Sequence, residues 1–339
     1  MKISASVFSN KQRPLEALVQ EIESCSIDYI HVDCNDDLSV GAAIARIRKV
    51  SQLPIDLHII SSEPEKFYPM IQEHQVEMVT LQYEDLQGRQ PELPDLGCSW
   101  GLSVVTDTPF SCFESFAGQC DFILFMTTVP GQSGGAFDKA NFRKIRQFRR
   151  HYPDKRIHVD GGVNAEISFA LRSMGVHCAV SGSFLVKAES LAHAFLNLLV
   201  QKGKNQLRVG DFMTELEELP VLRKPDISHS LSLEKALQVT EDYRMGYCLL
   251  VDEKGKLAGL ISNADVRRGL LAHISDLQAL DISDMINATP KFIHKDATAS
   301  EMLKFVKRFP FLISYLPVVD DSHRLVGAVN FNNLILGEL

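Results

Sequence analysis

The chain has 339 residues, 45% of them hydrophobic and 23% charged, with a formal net charge of −8. That length accommodates two or three domains with a sizeable core. The acidic balance argues against a general nucleic-acid or membrane-surface binder, since both are polyanions. The Met1-Lys2-Ile3-Ser4-Ala5 start has no apolar h-region, and the seven cysteines contain no C-x-x-C pair. No run approaches ~18 apolar residues. These features predict a cytoplasmic protein with reduced thiols and neither export signal, membrane span, disulfide framework nor Cys-type zinc site.

Through the first 200 residues, strand-like apolar runs end near Val7, Asp33, His58, Leu81, Val104, Met126, Asp160 and Ser181, most of them 21 to 25 residues apart. Segments with helical periodicity fill the gaps: Pro14 to Glu23, Val40 to Val50, Pro64 to His74, Phe110 to Ala117, Lys139 to His151, Ala165 to Met174 and Leu191 to Gln201. Eight strand-plus-helix units at that spacing predict a (β/α)8 TIM barrel. The rival, a doubly wound open sheet, is weakened because no G-x-G-x-x-G follows the first strand. The interval from Met126 to Asp160 is longer, at 34 residues, and carries Thr127-Thr128-Val129-Pro130-Gly131-Gln132-Ser133-Gly134-Gly135-Ala136-Phe137. A Pro-Gly turn and a Gly-Gly pair in a long strand-to-helix loop predict a mobile flap, the alternative being an idle surface loop.

In a barrel the strand C-termini meet at one mouth, so His31, Asp33, His58 and Asp160 could share one divalent cation. Two imidazoles and two carboxylates suit Zn²⁺, Fe²⁺, Mn²⁺ or Co²⁺ without choosing among them. Two aspartates on opposite sides of a substrate can remove a proton α to a carbonyl and return it from the other face. A metal would stabilise the enediolate formed between those steps. Gly161-Gly162 after the seventh strand and Ser181-Gly182-Ser183 after the eighth lie where barrels commonly bind phosphate.

These residues resemble the ribulose-phosphate 3-epimerase family over residues 2 to 200. His31-Val32-Asp33-Cys34-Asn35-Asp36 resembles the family's H-x-D-x-M-D, Asp56-Leu57-His58 its D-V-H, Met126-Thr127-Thr128-Val129-Pro130-Gly131 its M-S-V-x-P-G flap, and Val159-Asp160-Gly161-Gly162-Val163 its V-D-G-G-V. The resemblance implies that His31, Asp33, His58 and Asp160 are metal ligands and that Asp33 and Asp160 are the acid–base pair. It also implies that Ser6, His58, Met126, Gly131, Gly134, Gly135, Gly161, Gly162, Gly182 and Ser183 contact substrate. The substrate-facing shell departs from the family: Asn35 and Ile60 replace methionines, Asp37 and Phe184 replace small residues, and the flap reads Pro130-Gly131-Gln132-Ser133-Gly134-Gly135. His158 lies outside the family's ligand set and is expected in the core. Lys139, Arg143, Lys144, Arg146, Arg149, Arg150, Lys155 and Arg156 cluster around one helix and are expected on a solvated face. Among the cysteines, Cys34 lies nearest the mouth and is the one expected to be open to oxidation.

Gln201-Lys202-Gly203-Lys204-Asn205 reads as a linker, placing the barrel at 1–200, the linker at 201–206 and a further module at 207–339. That module repeats at roughly 70 residues, with an approximate division into 207–274 and 275–339. Val209-Gly210-Asp211-Phe212-Met213 is echoed by Ile282-Ser283-Asp284-Met285, and the Leu249 to Ile261 run by the Leu316 to Val329 run. The halves resemble a pair of cystathionine-β-synthase (CBS) domains, which implies an adenine nucleotide or nucleotide-sugar effector. By that resemblance Ser262 reaches a phosphate and Asp265 accepts from the ribose hydroxyls, while Asn330 and Asn333 hold the matching positions of the second copy. Gly259 to Arg268 also resembles the tail of arabinose-5-phosphate isomerases. The alternative is a purely structural or dimerising pair.

The combined expectation is a metal-dependent ketose-phosphate 3-epimerase, with D-ribulose 5-phosphate and D-xylulose 5-phosphate as the leading pair, and a nucleotide-sensing tail. It would form a homo-oligomer through the barrel, the tail or both, with no nucleic-acid or membrane partner. The rivals are the same inversion on another ketose phosphate of surface-polysaccharide synthesis, and a catalytically silent sensor.

Overall fold

The computed structural model describes residues 1–130, 134–200, 205–223, 232–332 and 334. The chain divides into two compact units, Met1–Asn205 and Gln206–Asn332. Among the described residues no helix is long and apolar enough to cross a membrane.

The first unit is a closed barrel of eight parallel strands in sequential order. In chain order it comprises β1 (Lys2–Ser6), α1 (Leu15–Ser24), β2 (Tyr29–Asn35), α2 (Val40–Arg48), β3 (Ile55–Ile60), α3 (Tyr68–Glu73), β4 (Met78–Gln82) and β5 (Ser99–Val105). Next come β6 (Phe122–Met126), α4 (Ala140–His151), β7 (Arg156–Asp160), α5 (Ala165–Ser173), β8 (Cys178–Ser181), α6 (Ser183–Val186) and α7 (Leu191–Leu199). Successive strand side chains alternate between faces. Ile30, Val32, Leu57, Ile59, Val79 and Leu102 occupy one parity and are essentially inaccessible. The other parity of β1 to β4 is polar and also buried: Ser4, Ser6, His31, Asp56, His58, Thr80 and Gln82. The barrel therefore encloses a polar half, completed on β6 and β8 by an apolar cluster of Leu124, Met126 and Val180.

The expected eight strand-plus-helix units need correction at two connections. After β4 the chain makes only a 3-10 turn over Tyr83–Leu86 before β5, and after β5 it forms a 3-10 helix over Phe110–Phe116. Aromatics at 110, 113 and 116 are three apart, the spacing that stacks side chains in register on a three-residue turn. Phe110 and Phe113 pack edge-on against Phe148, at 5.8 and 5.2 Å between ring centroids. The basic cluster around α4 also differs from a simple solvated face. Lys144 Nζ donates to the carbonyls of Val105 (2.6 Å) and Thr106 (3.2 Å), and Lys155 Nζ to those of Ala117 (2.6 Å) and Cys120 (2.8 Å). Arg149 donates to the Gly175 carbonyl and Arg156 to Ser99 Oγ. These cations tie loops to the barrel wall.

The second unit contains α8 (Val209–Phe212), β9 (Thr214–Glu215), β10 (Val221–Arg223), α9 (Ser232–Tyr243), β11 (Tyr247–Val251), β12 (Leu257–Ser262), α10 (Asn263–Ala272), β13 (Ile293–His294), α11 (Ala299–Val306), β14 (Tyr315–Val319) and β15 (Leu325–Asn330). They form one sheet of order β10-β11-β12 and another of order β13-β14-β15-β9. The hairpin β11–β12 recurs 68 positions later as β14–β15, each with a register shift at its last pair, Leu250/Val251 and Val318/Val319. The turns match as well. Asp252 Oδ1 accepts from the amides of Lys254 and Lys256, as Asp320 Oδ1 does from Ser322 and Arg324, all at 2.8–2.9 Å. One folded module is thus present twice, as the internal echo predicted.

Candidate active site at the barrel mouth

Strand register brings the site together. His31 pairs beside Asp56 and Asp33 beside His58 on β2 and β3, Ser6 beside His31 on β1 and β2, and Met126 beside Asp160 on β6 and β7. His31 Nε2 lies 3.3 Å from Asp33 Oδ1 and 3.6 Å from Asp160 Oδ2, and His58 Nδ1 lies 3.5 Å from Asp33 Oδ1. One donor atom from each of His31, Asp33, His58 and Asp160 falls within 4.8 Å of the others.

Two residues beneath this cluster set its tautomers. Asp56 Oδ2 accepts from His31 Nδ1 at 2.9 Å and from Ser4 Oγ at 2.8 Å. Gln82 Oε1 accepts from His58 Nε2 at 2.8 Å. Each imidazole therefore spends one N–H on the wall and presents its other nitrogen to the carboxylates. His58 Nδ1 is buried with no hydrogen-bond partner, an unsatisfied lone pair in a dry interior. An unpartnered imidazole nitrogen beside two carboxylates and a second imidazole fits a divalent cation.

The electrostatics separate the two carboxylates. Burial opposes ionisation of Asp33, yet the flanking His31 and His58 hold its carboxyl well below the usual range. Asp160 goes the other way: burial, reinforced by the Asp33 charge, raises it to about 6 despite His31. Burial disfavours the charged form of His31, but Asp56 and Asp33 raise it well above its ordinary value. With side chains 18% and 16% exposed, Asp33 and Asp160 are open to a ligand, while both imidazoles are sealed.

Above the carboxylates lies a cavity of about 230 Å³ lined by Ser6, Phe8, Lys11, Asn35, Met126, Gly134, Gly161, Gly162, Gly182 and Ser183, among others. His58 and Gly135 do not line it. His58 is sealed below, and Gly135 packs so closely on Thr128 that a Cβ there would fall 2.6 Å from its Cγ2. Gly131 lies outside the described residues. Gly161 and Gly162 have φ of +111° and +62°, and Cβ atoms on them would sit 2.8 Å from the Thr128 nitrogen and 2.2 Å from the Phe137 nitrogen. Glycine is needed there for both backbone conformation and space. The near limb of the expected flap is docked on this turn, with the Thr127 amide donating to the Asp160 carbonyl at 2.7 Å and Thr127 Oγ1 to the same oxygen at 3.0 Å.

The sequence profile described as the ribulose-phosphate 3 epimerase family matches residues 2–186, more than half of the chain. The chain belongs to that family. A chloroplastic ribulose-5-phosphate-3-epimerase of Arabidopsis thaliana is 26% identical over 215 residues, covering 59% of this chain and 76% of its own. The ribulose-phosphate 3-epimerase of Bacillus subtilis is 26% identical over 197 residues, covering 54% of this chain and 91% of its own. The CBS-domain profile matches residues 209–272 and 282–336. A solved CBS-pair protein of A. thaliana, CBSX2, is 22% identical over 39% of this chain and 94% of that one, at a TM-score of 0.31. This member of the epimerase family is thus a carbohydrate epimerase barrel followed by a CBS pair.

One further expectation holds, with His158 in the core, and others need adjustment. His158 is buried and stacked between Phe122 (4.1 Å) and His177 (5.6 Å), below the cluster, and burial lowers its pKa to about 3. Cys34 is buried with its thiol pushed up to about 11 by desolvation, so it is held as an unreactive thiol rather than open to oxidation. Ser262 and Asp265 do share a cavity, together with Arg268 and Lys291. However, Asp265 Oδ2 accepts from the Ser262 amide (2.9 Å) and hydroxyl, and its Oδ1 accepts from Arg268. Both oxygens are occupied in capping α10 and pairing with Arg268. Asn330 Oδ1 accepts from the Asn332 amide at 2.9 Å, and Asn333 lies outside the described residues. The orienting roles of Asp56 and Gln82 were missed by sequence reasoning. The signal was there, since Asp56 has the same strand parity as His58, and Gln82 ends the next strand.

Proposed function

We propose that the barrel inverts C3 of a ketose phosphate, interconverting D-ribulose 5-phosphate and D-xylulose 5-phosphate. The observation that carries this reading is a pair of carboxylates, Asp33 and Asp160, that β2 and β7 deliver to one mouth within 3.3 and 3.6 Å of the same imidazole nitrogen. His31 and His58 favour the ionised form of Asp33, whereas burial raises Asp160 to about 6, a difference whose direction suits a base and an acid. Asp33 takes the C3 proton from one face of the substrate, and the C–H electron pair moves into the C2 carbonyl to give an enediolate. Asp160 delivers its proton to C3 from the opposite face, and the carbonyl reforms with the configuration inverted. The reverse reaction exchanges their roles.

His31, Asp33, His58 and Asp160 would hold one divalent ion (Zn, Fe, Mn or Co), which when bound supplies positive charge to stabilise the enediolate oxygens. Asp56 and Gln82 fix the imidazoles so that the carboxylates keep their aim. Ser6, Met126 and Gly134 border the sugar. Gly161, Gly162, Gly182 and Ser183 offer the phosphate their backbone N–H groups. A phosphorylated substrate does not cross membranes, which supports a cytoplasmic location.

The reading assigns the barrel to 1–200, a linker to 201–206 and the CBS pair to 207–339. An adenine nucleotide or nucleotide-sugar would enter the cavity of Ser262 and Asp265, displacing Arg268 from the carboxylate. Asn35 and Phe184 in the cavity wall, with the likeness of Gly259 to Arg268 to arabinose-5-phosphate isomerases, favour a second substrate reading: a ketose phosphate of surface-polysaccharide synthesis. A coupled xylulose 5-phosphate assay with and without Zn²⁺, Mn²⁺ or Fe²⁺ tests the main reading. Metal-stimulated turnover is expected. No turnover with any ketose phosphate would overturn it in favour of a silent sensor.

A further inference from the structure

Three charged side chains line the cavity: Asp33 and Asp160 at its floor, and Lys11 on the loop after β1. An anionic ligand placed over two carboxylates meets repulsion that neutral backbone amides offset only in part. Lys11 is the cationic side chain available to balance it. Among the described residues it has no ion-pair partner, whereas several other surface cations of the barrel do. Lys2 stands 3.6 Å from Asp28, Lys66 2.6 Å from Asp36 and Arg46 2.6 Å from Glu16.

The loop that carries Lys11 is fastened to the turn after β8. Asn10 Nδ2 donates to the Val186 carbonyl at 2.9 Å, on the helix that follows Gly182, and Asn10 Oδ1 accepts from the Gln12 amide at 3.0 Å. Ser9 Oγ lies 3.1 Å from Ser6 Oγ, and a Cβ on Gly182 would approach that Ser9 oxygen to 2.3 Å. Ser9 and Asn10 thus hold the backbone immediately before Lys11 against the Gly182-Ser183 corner of the cavity.

We infer that Lys11 is a substrate-specificity residue, whose ammonium group pairs with the phosphate of the ketose phosphate at the Gly182-Ser183 corner. The inference rests on the epimerase reading and adds to it the group that discriminates a phosphorylated sugar from a neutral one. A lysine on a tethered loop contributes charge without rigid geometry, so its effect belongs in binding rather than in proton transfer.

The test compares wild type with Lys11→Gln and Lys11→Arg in the full-length, metal-loaded protein. Inorganic phosphate is titrated by calorimetry, and KM and kcat are measured for D-ribulose 5-phosphate at low and high salt. Lys11→Gln should weaken phosphate binding and raise KM by about 10- to 100-fold, the worth of a charge-assisted contact. It should also flatten the salt dependence of KM, while kcat moves far less and Lys11→Arg restores most of the loss. An unchanged phosphate Kd in Lys11→Gln, or a loss confined to kcat, would overturn the assignment, as would a wild type that binds no phosphate. Absence of turnover in wild type would overturn the epimerase reading alone, because the phosphate titration judges Lys11 independently.

Discussion

The barrel mouth and the CBS cleft each present an aspartate next to a potential ligand, and they use it in opposite ways. At the mouth, Asp33 and Asp160 approach His31 at 3.3 and 3.6 Å, while the strong hydrogen bonds of both imidazoles go to Asp56 and Gln82 beneath. These two carboxylates are left under-satisfied and electrostatically unlike. In the cleft, Asp265 is consumed by its own helix, capping α10 and pairing with Arg268. The carboxylates proposed to carry chemistry are held by neighbours that are themselves held, whereas the one that caps a helix is already saturated.

The largest expected effect breaks or upholds the first half of that contrast. Asp33→Asn should lower kcat by about 10²- to 10⁴-fold and abolish solvent deuterium incorporation at C3 with the circular dichroism spectrum intact. Unaltered exchange would mean that another group is the base. Next, Asp56→Asn should weaken divalent-metal affinity by about 10- to 100-fold, because His31 loses the acceptor that fixes its tautomer. Calorimetric titration with Zn²⁺ reads this directly, and an unchanged Kd would show that Asp56 is a bystander.

The second half of the contrast predicts a stability effect at Asp265. Asp265→Ala should cost about 1 kcal/mol through the lost helix cap, visible in urea unfolding without ligand, and should remove any rise in Tm given by AMP or ATP. If stability is unchanged while the nucleotide response disappears, Asp265 is a ligand group and not a structural one.

The smallest expected effect is on pH dependence. His177 stacks on His158, and burial together with Arg156 and Lys2 lowers its pKa to about 4. A folded pKa below the unfolded one means that the unfolded chain binds more protons in this range. The contribution is therefore intact above about pH 6.5 and lost as pH falls towards 4, amounting to about 1 kcal/mol after discounting for partial exposure. Urea midpoints at pH 7.5 and 5 should converge in His177→Gln relative to wild type. Parallel curves would show that this imidazole titrates normally.

How far the chain could be read from its residues varies by element. The strand ends at Asp33, His58 and Asp160, the paired glycines at 161 and 162 and the repeated hairpin are local patterns, legible because strand parity and turn stereochemistry need only neighbouring residues. The 3-10 segment at Phe110–Phe116 was not legible, since packing of Phe110 and Phe113 against Phe148 selects the tighter turn.

Residue types and their spacing alone determined that two histidines and two aspartates would end strands of one barrel, and that a duplicated module would follow. Tertiary structure decided which nitrogen each histidine presents, which aspartate is the harder to ionise, and that Asp265 is already engaged. Those outcomes depend on the register between strands and on burial, which bring together Asp56 with His31, Gln82 with His58 and Asp160 with Asp33. A proton affinity or a tautomer is set by what lies within a few ångströms in space, and sequence spacing carries no record of that.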